Sequence, residues 1–118
     1  MTEKQKKRIR RRTIEIRRAI SAMNYVSSGT LHVRTKVCGR PNCRCAADPA
    51  YRHGPYYEWS RSIDGRIVHK ILSERQADLV TQAISNYREV LRLLSLWEGE
   101  TTEEILTVNE PPNHRTPS

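Results

Sequence analysis

The stretch that decides the fold is residues 38–72, CGRPNCRCAADPAYRHGPYYEWSRSIDGRIVHKIL. Its second part holds two strand-like runs, 56–63 and 66–72, on either side of Asp64-Gly65. Asp-Gly between such runs is a strong hairpin signal, because both central residues of the favoured turn need positive φ. A two-residue loop sets Tyr57 opposite Leu72, Trp59 opposite Lys70 and Arg61 opposite Val68. Ahead of this stretch, residues 30–37 alternate. Leu31, Val33 and Val37 point one way and His32, Arg34 and Lys36 the other, the pattern of a half-buried strand. The segment 38–55 between these runs has no periodicity and is rich in Gly, Pro, Asn and Asp. The reading is an antiparallel β head of about three strands over residues 29–72, with a loop too polar to bury itself.

That loop carries Cys38, Cys43, Cys45 and His53, spaced C-x4-C-x-C-x7-H. Thiolate and imidazole are the preferred donors of a tetrahedral zinc ion, and the Gly39-Arg40-Pro41-Asn42 turn can fold two sulfurs toward one point. Arg40 and Arg44 beside the thiols are expected to favour the thiolate form. His53 completes the pattern. If it bonds the Gly54-Pro55 turn instead, Asp48, His69 or water stands as the fourth donor. Three cysteines within eight positions argue against a disulfide framework and for a reducing, cytoplasmic setting. The expected cofactor is one structural Zn2+ whose binding supplies folding free energy. Four filled positions close such a site, and no His-x-Glu, HExxH, Ser-His-Asp order or phosphate-cradling glycine loop accompanies it. The sequence therefore reads as a non-enzyme.

Helices flank the head. Thr2-Glu3-Lys4-Gln5 has capping-box form, and Ile9, Thr13, Ile16, Ile20 and Met23 follow at seam spacing, predicting a basic helix within residues 1–28, from about 3 to 25, stopped by Ser27-Ser28-Gly29. Ser73-Glu74-Arg75-Gln76 is a second capping box. Ala77, Val80, Ile84, Tyr87, Leu91 and Leu94 continue the pattern, predicting a helix over 73–98 stopped by Gly99. Residues 99–118 read as a short further helix, capped within Thr101-Thr102-Glu103-Glu104, and a disordered proline-containing tail. The fold class is α+β: an antiparallel helical hairpin carrying a zinc-stapled β head, one domain over residues 1–100. The same two seams also suit dimerisation as a coiled-coil interaction module, a homodimer or a dock for a larger partner.

The chain has 118 residues, only 36% of them hydrophobic, none of them Phe, and a formal charge of +8. A domain this small and polar needs a metal or a partner to supplement its core. Residues 1–18 hold nine Lys/Arg against two acids and residues 30–70 eight against three, while residues 71–118 hold four against eight. A basic front suggests a polyanion, and the interleaved Tyr51, Tyr56, Tyr57 and Trp59 suggest nucleic acid, with DNA first. The candidate contacts are Lys4, Lys7, Arg8, Arg11 and Arg12 on the first helix and Arg34, Lys36, Arg61, Arg66 and Lys70 on the head. Trp59 itself reads as head core. No apolar run approaches the roughly 20 residues a bilayer span requires, so a membrane partner is not expected.

Gly29-Thr30-Leu31, CGRPNCRCA (38–46), HGPYY (53–57) and Asp64-Gly65-Arg66 together resemble a family of short prokaryotic and phage-type proteins of unknown function, over about residues 29–95. The resemblance implies the Cys/His grouping and a mobile-element setting, with a recombinase- or transposase-type partner. Within that pattern, Ala46-Ala47-Asp48-Pro49-Ala50 stands where the family has a glycine-containing stretch.

Overall fold

A computed structural model describes residues 2–108. The elements in order are helix α1 (Glu3–Ser21), strand β1 (Thr30–Lys36), two 3-10 turns (Arg44–Ala46 and Pro49–Tyr51), strands β2 (His53–Ile63) and β3 (Arg66–Leu72), and helix α2 (Glu74–Leu106). The chain is thus α+β, with two helices and a three-stranded antiparallel sheet. It divides into two compact units, one of the residues up to Asn24 and from Glu89 onward, the other of Tyr25–Arg88.

In the Tyr25–Arg88 unit the strand order is β1-β2-β3. The β2–β3 register is the one the two-residue loop requires: Tyr57 pairs with Leu72, Trp59 with Lys70 and Arg61 with Val68. Asp64 (φ 52°) and Gly65 (φ 79°) take the positive φ values that this turn demands. The β1–β2 ladder is regular from Thr30↔Ser60 to Arg34↔Tyr56 and then slips, so that Lys36 pairs with His53. The extra residue lies on β2 at Gly54-Pro55, where a proline without an N–H can sit in a central strand. Gly54 (φ 126°) is obligatory there, since a Cβ would lie 2.9 Å from the Arg34 carbonyl oxygen.

Ahead of β1, the Trp59 indole N–H donates to the Ser28 carbonyl (3.3 Å), the Ser27 N–H to Ala83 and the Asn86 side chain to Tyr25. Residues 25–28 are thereby fastened to both β2 and the first half of α2. Gly29 is not a helix stop. α1 ends at Ser21, short of the expected 25, and Gly29 (φ 120°) instead lets the chain pass Trp59 where any Cβ would meet the indole nitrogen at 2.6 Å. Ala77, Val80, Ala83 and Ile84 are the buried residues of α2 in this unit, in line with the predicted seam. Trp59 is half-buried.

Both capping boxes form: the Gln5 N–H donates to the Thr2 hydroxyl and the Gln76 N–H to the Ser73 hydroxyl, with each glutamine side chain accepting from the capping residue's own N–H. In the other unit α1 buries Ile9 and Ile16 as the seam predicts. α2 departs from its prediction in two ways. It runs through Gly99 to Leu106 without a break, so no separate helix follows; Thr102 lies inside it, its hydroxyl donating to the Glu98 carbonyl. A mid-helix glycine costs only about 1 kcal/mol relative to alanine, which neighbouring contacts offset.

Those contacts also move the buried stripe. Leu93 and Glu100 are buried, while Leu91 (50%) and Leu94 (41%) stay exposed. The partners of this half of α2 are arginines of α1: Arg8 pairs with Glu103 at 2.9 Å and Arg12 with Glu100 at 2.8 Å. Leu93 and Glu100 therefore share the packed side, and Leu91 and Leu94 lie off it. The predicted tail, 109–118, lies outside the described residues.

Candidate metal centre

The head's long connection folds so that one donor atom from each of Cys38, Cys43, Cys45 and His53 lies within 4.8 Å of every other. Cys38 Sγ and Cys45 Sγ are 3.4 Å apart and Cys43 Sγ and His53 Nε2 are 3.3 Å apart. Sulfurs about 2.3 Å from a tetrahedral ion stand roughly 3.8 Å from each other, so the cluster has the size of a single coordination sphere. All three cysteines are free thiols. The residues present fit a metal ion by donor chemistry and by spacing.

Each donor has a local reason for its place. Cys38 follows β1, and His53 opens β2 beside the bulge. Cys43 caps the 3-10 turn that contains Cys45, bringing two donors together over three residues. Asp48 is not a ligand: its carboxylate accepts from the Ala50 N–H and caps the second turn. His69 is not one either, for its Nδ1 lies 2.7 Å from the Ser60 hydroxyl on the sheet. Of the candidate fourth donors in the chain, His53 is the one brought to the three cysteines, its Nε2 facing Cys43 Sγ.

The thiols differ. Cys43 is held below its ordinary range, first by the Cys45 backbone N–H and then by the Cys45 and Cys38 thiols. The arginines expected to do this do not; Arg44 instead places its guanidinium 5.3 Å over the Tyr51 ring. Cys45 is 1% exposed. A hydrogen bond from the Cys38 N–H (3.3 Å) favours its thiolate, but burial and the neighbouring thiols outweigh that and push it up to about 11. Burial thus favours the protonated form of Cys45, and a cation bound by its sulfur would displace that proton.

The basic residues singled out in the sequence do not share one surface. In the sheet, Arg61, Lys70 and Arg66 stand on the face of Trp59 and Tyr57, whereas Arg34 stands on the face of Tyr56. Lys36 lies 5.1 Å over the Tyr56 ring and Arg61 4.3 Å over the Trp59 ring. Arg34 also approaches Glu58 at 3.6 Å. On α1, Arg8 and Arg12 are occupied by Glu103 and Glu100, and the Arg12 guanidinium pKa is raised by its bond to Glu100. Lys4, Lys7 and Arg11 are exposed and form no ion pair among the described residues. Sequence reasoning missed Arg10 and Arg17, which with Lys6 and Ile14 line a surface groove of about 680 Å³ on α1 and the end of α2. Their seven-residue spacing was the available signal. No helix among the described residues is long and apolar enough to cross a membrane.

A small α+β chain whose sheet ends in a Cys3His cluster is the class that fold and site define. The chain belongs to the family described as a domain of unknown function (DUF6788), whose model matches residues 6–82 and so takes in most of α1, the whole head and the start of α2. No curated protein and no solved structure matches it.

Proposed function

We propose that this chain is a zinc-stabilised, non-catalytic nucleic-acid-binding protein of the reducing cytoplasm, acting on DNA as an accessory to a mobile element. The zinc assignment is supported by three thiols and one imidazole within a single coordination sphere. One ion held by Cys38, Cys43, Cys45 and His53 fills all four positions and leaves none for substrate, which is the ground for a structural rather than a catalytic role.

The observation that carries the nucleic-acid reading is the outer face of α1. At 100° per residue, Lys4, Lys7, Arg11 and Arg18 fall opposite the buried Ile9 and Ile16. These four are exposed and form no ion pair among the described residues, in a protein that pairs Arg8 and Arg12 on the flank. Such a line of cations positions a phosphate backbone without reading bases. The test is fluorescence anisotropy with a labelled DNA duplex across a salt series. Affinity is expected to fall steeply with salt, and Lys4→Gln/Lys7→Gln/Arg11→Gln to flatten the slope by about one unit per removed contact. Absence of binding at low salt refutes the reading.

A dimerisation role has one observation in its favour. The α1–α2 ion pairs run in opposite order along the two helices, which supports an antiparallel hairpin, and that hairpin leaves Leu91, Leu94 and Ile105 exposed. Concentration-dependent sedimentation tests it, with recombinase-type partners as the larger alternative.

A further inference from the structure

We infer that the β head enters the major groove of a DNA duplex edge-first, with β3 leading. The inference rests on the nucleic-acid reading above and names the form of ligand the head takes.

It begins from the cations on both faces of the sheet, Arg61 and Lys70 on one and Arg34 and Lys36 on the other. A flat partner meets one face, whereas the two walls of a groove meet both. One cation on each face is seated on a ring, Arg61 on Trp59 and Lys36 on Tyr56. A ring seat fixes the cation and at the same time covers the surface on which an unpaired base would stack. Trp59 is further closed at its edge, where its indole N–H is bonded to Ser28 and Gly29 passes within a Cβ's reach. The head therefore offers charge at fixed points rather than open stacking platforms, which favours a duplex backbone over a single strand.

The dimensions agree. A sheet with its side chains is about 10 Å thick, and a B-form major groove is about 12 Å wide and 8.5 Å deep. β1 and β3 are two strand spacings apart, roughly 10 Å. With β3 at the groove floor, β1 and its Lys36 stand at the level of the rim phosphates. β3 is suited to lead: it has no strand on its outer side among the described residues, its pairing to β2 is unbroken over all seven residues, and only Leu72 is not exposed. Its unpaired main-chain groups then face base edges.

The full chain is titrated at low salt with three labelled probes: a short DNA duplex, an RNA duplex of the same sequence and one DNA strand. The DNA duplex is expected to bind tighter than either by about tenfold or more, because the major groove of A-form RNA is too narrow to admit side chains. Lys36→Gln and Arg61→Gln, one on each face and neither on the leading strand, each lower the salt slope by about one on the DNA duplex, and together by about two. Equal affinity for the RNA duplex or the single strand, or a slope change from one face alone, overturns groove entry while leaving nucleic-acid binding intact. Failure of all three probes removes both readings.

Discussion

The sheet contains two antiparallel connections that solve the same geometric problem by different means. β2 and β3 are joined by Asp64-Gly65, where the chain supplies the turn from two residues with positive φ. β1 and β2 are joined by the sixteen residues between Lys36 and His53, which hold two short 3-10 turns and converge on four donor atoms. Closing a longer loop costs more entropy, by about 0.6 kcal/mol per doubling, and this loop buries only Cys45 to offset it. One connection is closed by its own backbone, and the other gathers four donor atoms that could hold a metal ion.

That contrast is most severely tested by taking the ion away. With Cys45→Ser, or under a strong chelator, the long connection is expected to lose a stabilisation on the order of 10 kcal/mol. Hydrogen exchange should then show lost protection across residues 38–53 while the β2–β3 ladder keeps much of its own; equal protection with and without metal would show that the loop needs no ion. Next comes Gly54→Ala, which forces a Cβ to within 2.9 Å of the Arg34 carbonyl at φ 126°. A loss of about 2–3 kcal/mol in chemical denaturation is expected.

Acid should weaken metal uptake by the long connection. Because the Cys45 thiol sits at about 11, its proton must leave on metal uptake. Affinity is then expected to drop about tenfold for each unit by which pH falls, from this proton alone, measurable by competition with a chelator of known affinity. A pH-independent affinity would mean that Cys45 is not a thiolate ligand. The mildest change is Gly65→Ala, where φ is 79° but nothing lies within 4 Å of the new Cβ. It should cost the short turn about 1 kcal/mol and leave metal content unchanged.

Much of this could be read from residue order. Asp64-Gly65 determined the β2–β3 register because a two-residue turn admits one pairing, and the two hydroxyl-x-x-Gln boxes located both helix starts because the capping groups are local. The four donors were legible because coordination chemistry restricts residue type and spacing. What escaped was non-local. The bulge at Gly54-Pro55 follows from how β1 meets β2, and the partners of Glu100 and Glu103 on α2 are Arg12 and Arg8, some ninety residues away in sequence. Seam counting gives weight to leucines, so it selected Leu91 and Leu94 where the fold packs Glu100. Gly99 was read as a stop on propensity alone, which tertiary contacts readily override. The division of the head's cations between two faces required the register, not the composition.

The slipped register at Gly54-Pro55 sets which of the four donors face solvent. The ladder slips by one residue beyond Arg34 and resumes at Lys36↔His53, which places His53 across from the end of β1, two residues before Cys38. Cys38 and His53, the donors nearest that slip, are exposed, whereas Cys45 is buried. An ion held by these four donors would thus have two of its ligands on the solvent side and one beneath it.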